Sequence, residues 1–206
     1  MTTPTQARVL RGSDIAAMWI FVGAGIAVVG VTLFFAIGRI VDALSGKALP
    51  VEALFSDTTV PAPIGPDGAM RDILLERAWI TPSSLSVAGT GALVIQQLVL
   101  AASVTALVVC LLLVTLSVMR GRVFSGRNTV LVVAAGASGL AGLFGVPFFG
   151  NIVANDAFRD ISQGTFDNPV MSVDLPPVIL AAFIVAMAST VFTVGDRLQR
   201  DTEGLV

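Results

Sequence analysis

The stretch Ile15–Ile37, IAAMWIFVGAGIAVVGVTLFFAI, carries no charged residue. Its 23 residues would form about 35 Å of α-helix, which is enough to cross the roughly 30 Å hydrocarbon core of a bilayer. Arg8 and Arg11 precede it, as basic residues precede the apolar core of a signal peptide. The apolar run of a signal peptide is shorter, about 7–15 residues. The stretch therefore predicts an uncleaved membrane-spanning helix.

Three further apolar runs follow, at Leu98–Val118, Val130–Val153 and Pro177–Val194. With helical extensions at their ends, the four predicted spans cover residues 15–44, 84–118, 128–153 and 177–200. The predicted fold is an all-α integral membrane protein, a bundle of four transmembrane helices that forms one domain over residues 1–206.

The composition agrees with a membrane protein. Hydrophobic residues make up 55% of the chain, charged residues 13%, and the mean hydropathy is +0.89. Soluble domains contain about 45–50% apolar and about 25% charged residues. A water-soluble globule would have to expose too much apolar surface with this composition.

Two connecting segments, residues 45–83 and 154–176, are predicted to lie outside the membrane. Alternating or mixed apolar patterns at Leu49–Phe55, Ile73–Ile80 and Val170–Leu175 favour short strands within them. Both segments emerge on the same side of a four-span protein. We therefore predict that they touch and form one small cap that contains β structure.

Arginine placement predicts the orientation of the chain. Seven arginines fall on the side that bears both termini, mostly in short segments close to span ends: Arg8, Arg11, Arg120, Arg122, Arg127, Arg197 and Arg200. The positive-inside bias acts on such short segments. Both termini are therefore predicted to be cytoplasmic, and the cap extracytoplasmic. Abundant alanine and arginine fit a bacterial source, so the predicted location is the bacterial cytoplasmic membrane.

Several kinds of chemistry are excluded by the residues that the chain lacks. It contains no histidine and no tyrosine, and its one cysteine, Cys110, lies within an apolar run. Catalysis by serine–histidine or cysteine–histidine pairs is thus impossible. The acidic connecting segments show no calcium-loop spacing, and the chain has no phosphate-binding glycine loop. We predict no catalytic, cofactor-binding or metal-binding residue, no direct contact with nucleic acid, and a protein that is not an enzyme.

The third span carries four glycines at helical spacing, Gly136, Gly139, Gly142 and Gly145. Small residues one turn apart let helices approach closely in lipid. We interpret these glycines as packing positions within the bundle. A homodimer face is the alternative interpretation.

Two predicted cytoplasmic stretches carry a resemblance. Residues 120–128, Arg-Gly-Arg-Val-Phe-Ser-Gly-Arg-Asn, lie directly before the third span, and residues 191–206, which begin Val-Phe-Thr-Val-Gly-Asp-Arg-Leu-Gln-Arg-Asp, close the chain. They resemble the bacterial membrane family catalogued as domain of unknown function 2975, over the second half of the chain. The resemblance implies four helices and a cytoplasmic regulator encoded nearby, but no activity and no site residues. Independently of it, Ser125 and Asn128 are spaced to form a capping box at the start of the third helix.

These observations favour a non-enzymatic accessory or regulatory membrane protein that holds a partner protein or joins a larger membrane complex. A small oligomeric transporter or channel is the alternative, although no charged residue lies in the cores of the spans. The predicted contact surface for a partner, or for the lipid bilayer itself, is basic. It consists of Arg120, Arg122, Arg127, Arg197 and Arg200.

Overall fold

The computed structural model describes residues 12–166 and 170–203, apart from the side chains of Asp14, Arg200, Thr202 and Glu203. Arg8 and Arg11, which enter the orientation argument, lie outside these residues, as does the end of the tail. The described elements, in chain order, are α1 (Gly12–Leu44), β1 (Val51–Ala62), a 3₁₀ turn (Pro66–Gly68), β2 (Arg71–Ile80), α2 (Val87–Met119), α3 (Gly126–Ser162) and α4 (Leu175–Glu203).

Four helices among the described residues are long and apolar enough to cross a membrane. The predicted mainly helical fold with four long apolar helices is therefore confirmed. Three of the helices begin and end within a few residues of their predicted bounds.

The predicted end of the third helix, at Val153, is wrong, because α3 continues to Ser162. Its mean hydropathy falls beyond Val153, yet Val153, Ala154, Ala157 and Phe158 are buried at helical spacing. That apolar stripe keeps the chain helical where the continuous apolar run has ended. The stripe is visible as helical spacing in the sequence but not in hydropathy averaged along the chain.

The start of α2 also differs from the predicted Ser84. The helix begins at Val87 because Ser86 is its N-cap: Ser86 Oγ accepts a hydrogen bond of 3.1 Å from the N–H of Gly89.

The chain divides into two compact units. One, which we call the hairpin unit, comprises Phe34–Leu100 and Gly142–Leu175. The other, the turn unit, comprises Met1–Leu33, Ala101–Ala141 and Pro176–Val206. The hairpin unit contains the described parts of both predicted extracytoplasmic segments, whereas the turn unit contains the α2–α3 connection.

Strands β1 and β2 form a two-stranded antiparallel hairpin, paired from Val51↔Ile80 to Ala62↔Arg71. The register is interrupted between Leu54 and Thr58, where β1 has a bulge. The predicted strands are thus present and longer than expected. The alternating stretch Val170–Leu175 is not a strand; Leu175 already begins α4.

The buried core of the hairpin unit joins the base of the hairpin to helix ends. Buried members come from α1, β1, α2 and α3: Ala43, Val51, Ala53, Ala92, Leu93, Val153, Ala154, Ala157 and Phe158. Apolar burial of this kind is the main favourable term in folding outside the bilayer. It fixes the root of the hairpin against the end of α3.

Candidate functional site: the hairpin and the polar end of α3

Three phenylalanines attach the hairpin to α3 and to the α3–α4 connection. The ring of Phe55 on β1 lies edge-on to Phe158 on α3, with centroids 5.0 Å apart. Phe166 lies 5.3 Å from Phe158 and 6.3 Å from Phe55. Aromatic pairs at such distances and angles are favourable beyond the area that they bury. The two predicted cap segments therefore meet here, at a small aromatic cluster.

Two carboxylates on α3 receive the start of α2. Asp156 accepts hydrogen bonds from the backbone N–H and the hydroxyl of Ser86, at 2.8 and 2.6 Å. One turn further along, Asp160 accepts bonds from the backbone N–H and the hydroxyl of Ser83, both at 2.8 Å. Ser84 donates to Asp160 through the same kinds of group. We call this set of five residues the serine–aspartate clasp.

The clasp places negative charge beside the positive end of the α2 dipole. It also leaves no room at Gly89, where a Cβ atom would lie 2.9 Å from Cβ of Asp156. The carboxylates thus have partners within the chain and act as structural acceptors.

A second pair of polar side chains on α3 holds the segment before α4. The side-chain amide of Asn151 donates to the carbonyl of Ser172 at 2.7 Å, and that of Asn155 donates to the carbonyl of Val170 at 3.4 Å. These bonds satisfy the carbonyl groups of Val170 and Ser172 without a neighbouring strand. They explain why the alternating pattern of this segment does not produce β pairing.

Asp160 lies at a polar helix end outside the apolar stretch of α3. The 37 residues of α3 make a helix of about 55 Å, so in a bilayer with a hydrocarbon core of roughly 30 Å part of it would project beyond that core. The hydrogen bond from the Ser83 hydroxyl, together with those from Ser84 and the two backbone N–H groups, lowers the pKa of Asp160 below its usual 3.8. Partial loss of hydration acts in the opposite direction and does not cancel this effect.

A lowered pKa predicts a loosening of the clasp in acid. The folded state binds the Asp160 proton less tightly than the unfolded state, so the stabilisation is complete above the ordinary pKa and is lost as the pH falls through the lowered one. We expect the protection of the Ser83 and Ser84 amides from hydrogen exchange, relative to an unstructured peptide at the same pH, to fall below about pH 4 in the native chain. Asp160→Asn should show the lower protection already at neutral pH. An acid response equal in Asp160→Asn and in the native chain would contradict this assignment.

The half of the hairpin beyond the bulge contains no buried residue, from Ser56 to Leu75. Alternate residues of a strand point to opposite faces. Ala78 and Ile80 face the core side, so Ile73, Leu75 and Trp79 lie on the opposite face, which we call the outer face. Leu54, Thr58 and Val60 lie on the same face of β1, paired with Arg77, Leu75 and Ile73.

The outer face carries apolar side chains that are half-buried at Ile73 and Leu75 and exposed at Trp79, and it also carries Arg77 and Glu52. Trp79 is 66% exposed, and two further apolar side chains near the hairpin tip, Ile64 and Met70, are 68% and 66% exposed. Tryptophan is common at membrane interfaces, and such an anchoring role would account for Trp79 at the base of the hairpin. It does not account for the exposed Ile64 and Met70 near the tip.

In the turn unit, four of the five arginines of the predicted basic surface can be described. Arg120, Arg122, Arg127 and Arg197 are all exposed, and the side chain of Arg200 lies outside the described part of the chain. Ser125 caps α3, accepting the N–H of Asn128 at 3.3 Å. The reciprocal half of the predicted capping box does not form, because the Asn128 amide donates to the carbonyls of Arg122 and Val123 instead, at 2.8 and 2.9 Å.

The two stretches that carry the family resemblance meet in this unit. Phe124, in the α2–α3 turn, lies edge-on to Phe192 of α4 at 5.8 Å between centroids. A Cβ atom on Gly195 would lie 2.6 Å from Cε1 of Phe124. Glycine at 195 is therefore required for the turn to rest on α4. Packing alone explains these three positions of the two motifs.

The glycines of α3 approach neighbouring helices of the same chain. Cβ atoms built on Gly136, Gly139 and Gly145 would lie 3.0 Å from Cβ of Val185, 3.0 Å from Cδ1 of Leu107 and 2.9 Å from Cγ1 of Val99, respectively. Gly142 lies between the last two. Close approach to helices of the same chain is the geometry that internal packing requires.

Within the described residues, no group of three cysteine, aspartate or glutamate side chains could hold a metal ion. The comparisons with known proteins found no matching family model, no matching curated protein and no matching solved structure. The resemblance to family 2975 therefore stays a prediction.

Proposed function

We propose that this chain is a non-enzymatic accessory or regulatory protein of the bacterial cytoplasmic membrane, which holds a partner protein on the extracytoplasmic side through the outer face of its hairpin. The four long apolar helices support membrane insertion, and the arginines of the turn unit support cytoplasmic termini. One observation carries the partner-holding role. It is the long hairpin arm in which no residue from Ser56 to Leu75 is fully buried.

A two-stranded hairpin is at best marginally stable in water unless it packs against something else. The root of this hairpin meets that requirement through Phe55, Val51 and Ala53, which pack in the core of the hairpin unit. The part from Ser56 to Leu75 does not. Its strands of 12 and 10 residues are long for so thin a structure, and the sheet has no third strand among the described residues.

The apolar outer face indicates the chemistry of the partner. Exposed apolar patches outside the bilayer mark contact sites when they are contiguous. Ile73 and Leu75 occupy successive positions of this face on β2, and Arg77, which forms an exposed ion pair with Glu52 at 3.0 Å, separates them from Trp79. A partner protein with an apolar surface would cover this face. A strand of that partner could also add to the hairpin along β2. The regulator implied by the resemblance would act on the cytoplasmic side.

The transporter alternative receives less support from the spans. The Gln96 side chain donates to the carbonyl of Val146 at 3.1 Å. Five hydroxyls in the apolar helices donate to carbonyls four residues earlier in their own helix, namely those of Thr115, Ser138, Ser189, Thr190 and Thr193. Groups used in this way are not arranged to replace the hydration shell of a solute.

The test is cross-linking in intact cells from single cysteines in a Cys110→Ala background. Leu75→Cys lies on the outer face, and Glu76→Cys, its matched control, lies on the opposite face of the same strand. A membrane-impermeant cross-linker that joins a cysteine to a nearby amine should give one stoichiometric adduct with Leu75→Cys and much less with Glu76→Cys. Arg122→Cys should react only after the cells are permeabilised.

Three results would contradict the proposal, each in a different part. Equal adducts from Leu75→Cys and Glu76→Cys would remove the outer face as the contact site. An adduct with the mass of two chains would replace the partner with a second copy. Reaction of Arg122→Cys in intact cells would reverse the orientation.

A further inference from the structure

The turn unit contains an elongated apolar groove of about 990 Å³. Nine of its ten lining residues lie on one face of α4, spaced three or four apart from Phe183 to Gln199, and the tenth is Phe124 of the α2–α3 turn. The face is about 24 Å long, which exceeds the roughly 15 Å depth of one leaflet's hydrocarbon and reaches the headgroup region.

The groove is formed by residues that hold each other in place. Phe124 makes one wall because it rests on Gly195, where a side chain would displace it. The turn that carries Phe124 is fixed from behind by Asn128, which is completely buried and whose amide binds the carbonyls of Arg122 and Val123. Binding sites for small ligands are usually formed in advance in this way.

Positive charge lies at the Phe124 end of the groove. Arg197 is in the same helical turn as Val194, Gly195 and Leu198, which line the groove, and Arg122 is two residues before Phe124. Near this end the described residues include four exposed arginines, Arg120, Arg122, Arg127 and Arg197, and two aspartates of α4, Asp196 and Asp201. An apolar groove with basic residues at its headgroup end complements an anionic phospholipid.

We propose that this groove binds one anionic phospholipid, with an acyl chain along α4 and its phosphate near Arg122 and Arg197. A partner helix would suit the groove less, because helices that associate in lipid use small residues at the contact. This face presents Phe183, Met187 and Leu198 beside the smaller Ala186, Thr190 and Gly195, so large side chains interrupt any close approach of a second helix. The proposal depends on membrane insertion but not on the hairpin partner, so either can fail without the other.

The test uses the purified full-length protein in neutral detergent and counts bound lipid by native mass spectrometry. Phosphatidylglycerol is compared with phosphatidylcholine of identical acyl chains. We expect tighter binding of phosphatidylglycerol, and a loss of about fivefold for each arginine replaced in Arg122→Gln and Arg197→Gln, or about 30-fold in the double variant. The matched control, Arg71→Gln with Arg159→Gln, removes two arginines from the hairpin unit and should retain native affinity.

A second pair of variants tests the groove itself. Val191→Trp fills it and should reduce the binding of both lipids, whereas Val28→Trp, on an exposed face of α1, should not. Equal binding of the two lipids by the native chain would overturn the proposal. So would equal losses in the control and groove variants, or conversion of a dimer to a monomer by Val191→Trp, which would make a second copy the occupant.

Discussion

Replacing Phe158 with alanine is expected to lower the free energy of unfolding of the hairpin unit by about 3–5 kcal/mol, the usual cost of removing a buried aromatic ring. Phe158 is only 6% exposed, and its ring contacts both Phe55 of β1 and Phe166 of the α3–α4 connection. Its loss removes the centre of the aromatic cluster, and the root of the hairpin then loses a main attachment to α3. Limited trypsin digestion in detergent should show faster cleavage after Arg71 and Arg77.

The matched control for this prediction is Phe34→Ala. Phe34 belongs to the same unit but is 74% exposed, so the same chemical change removes little buried surface within the chain. We expect its cleavage rate to remain close to that of the native chain. Equal acceleration in the two variants would show that the cluster does not anchor the hairpin.

Gly136→Ala is expected to destabilise the turn unit, although alanine favours helices by about 1 kcal/mol over glycine. The new Cβ would lie 3.0 Å from Cβ of Val185 and closer still to its two methyl groups, all of which belong to a stiff β-branched side chain. Overpacking of this kind costs about 1–3 kcal/mol. Unfolding with sodium dodecyl sulfate from neutral micelles measures the loss, and light scattering measures the oligomeric state.

Gly30→Ala supplies the control, because nothing lies within 4 Å of a Cβ at that position. It should leave stability unchanged or raise it. The double variant Gly136→Ala with Val185→Ala should recover most of the loss. A Gly136→Ala protein that changes its oligomeric state while the unit keeps its stability would instead support the homodimer interpretation of the α3 glycines.

The two motifs behind the family resemblance predicted only some features of the turn unit. Their residues predicted a basic surface, whose described arginines are exposed, and a helix cap, of which the Ser125 half forms. The contact of Phe124 with Phe192 and Gly195 was not predictable, because it joins positions 68 and 71 residues apart in the sequence. A glycine in the middle of a helical pattern was the one signal available, and it fits many kinds of packing equally well.

The four long apolar helices and the two strands were determined by the sequence, because long uncharged runs and strand alternation are local properties of consecutive residues. The bounds of the helices depended on partners elsewhere in the chain. α3 continues past Val153 because its apolar stripe meets the root of the hairpin, and α2 begins at Val87 because Ser86 caps it and Asp156 binds Ser86. The tertiary structure alone decided these features, as well as the unburied outer face of the hairpin and the groove on α4. Burial, capping and close approach arise between residues that are far apart in sequence, and no local pattern specifies which of them will meet.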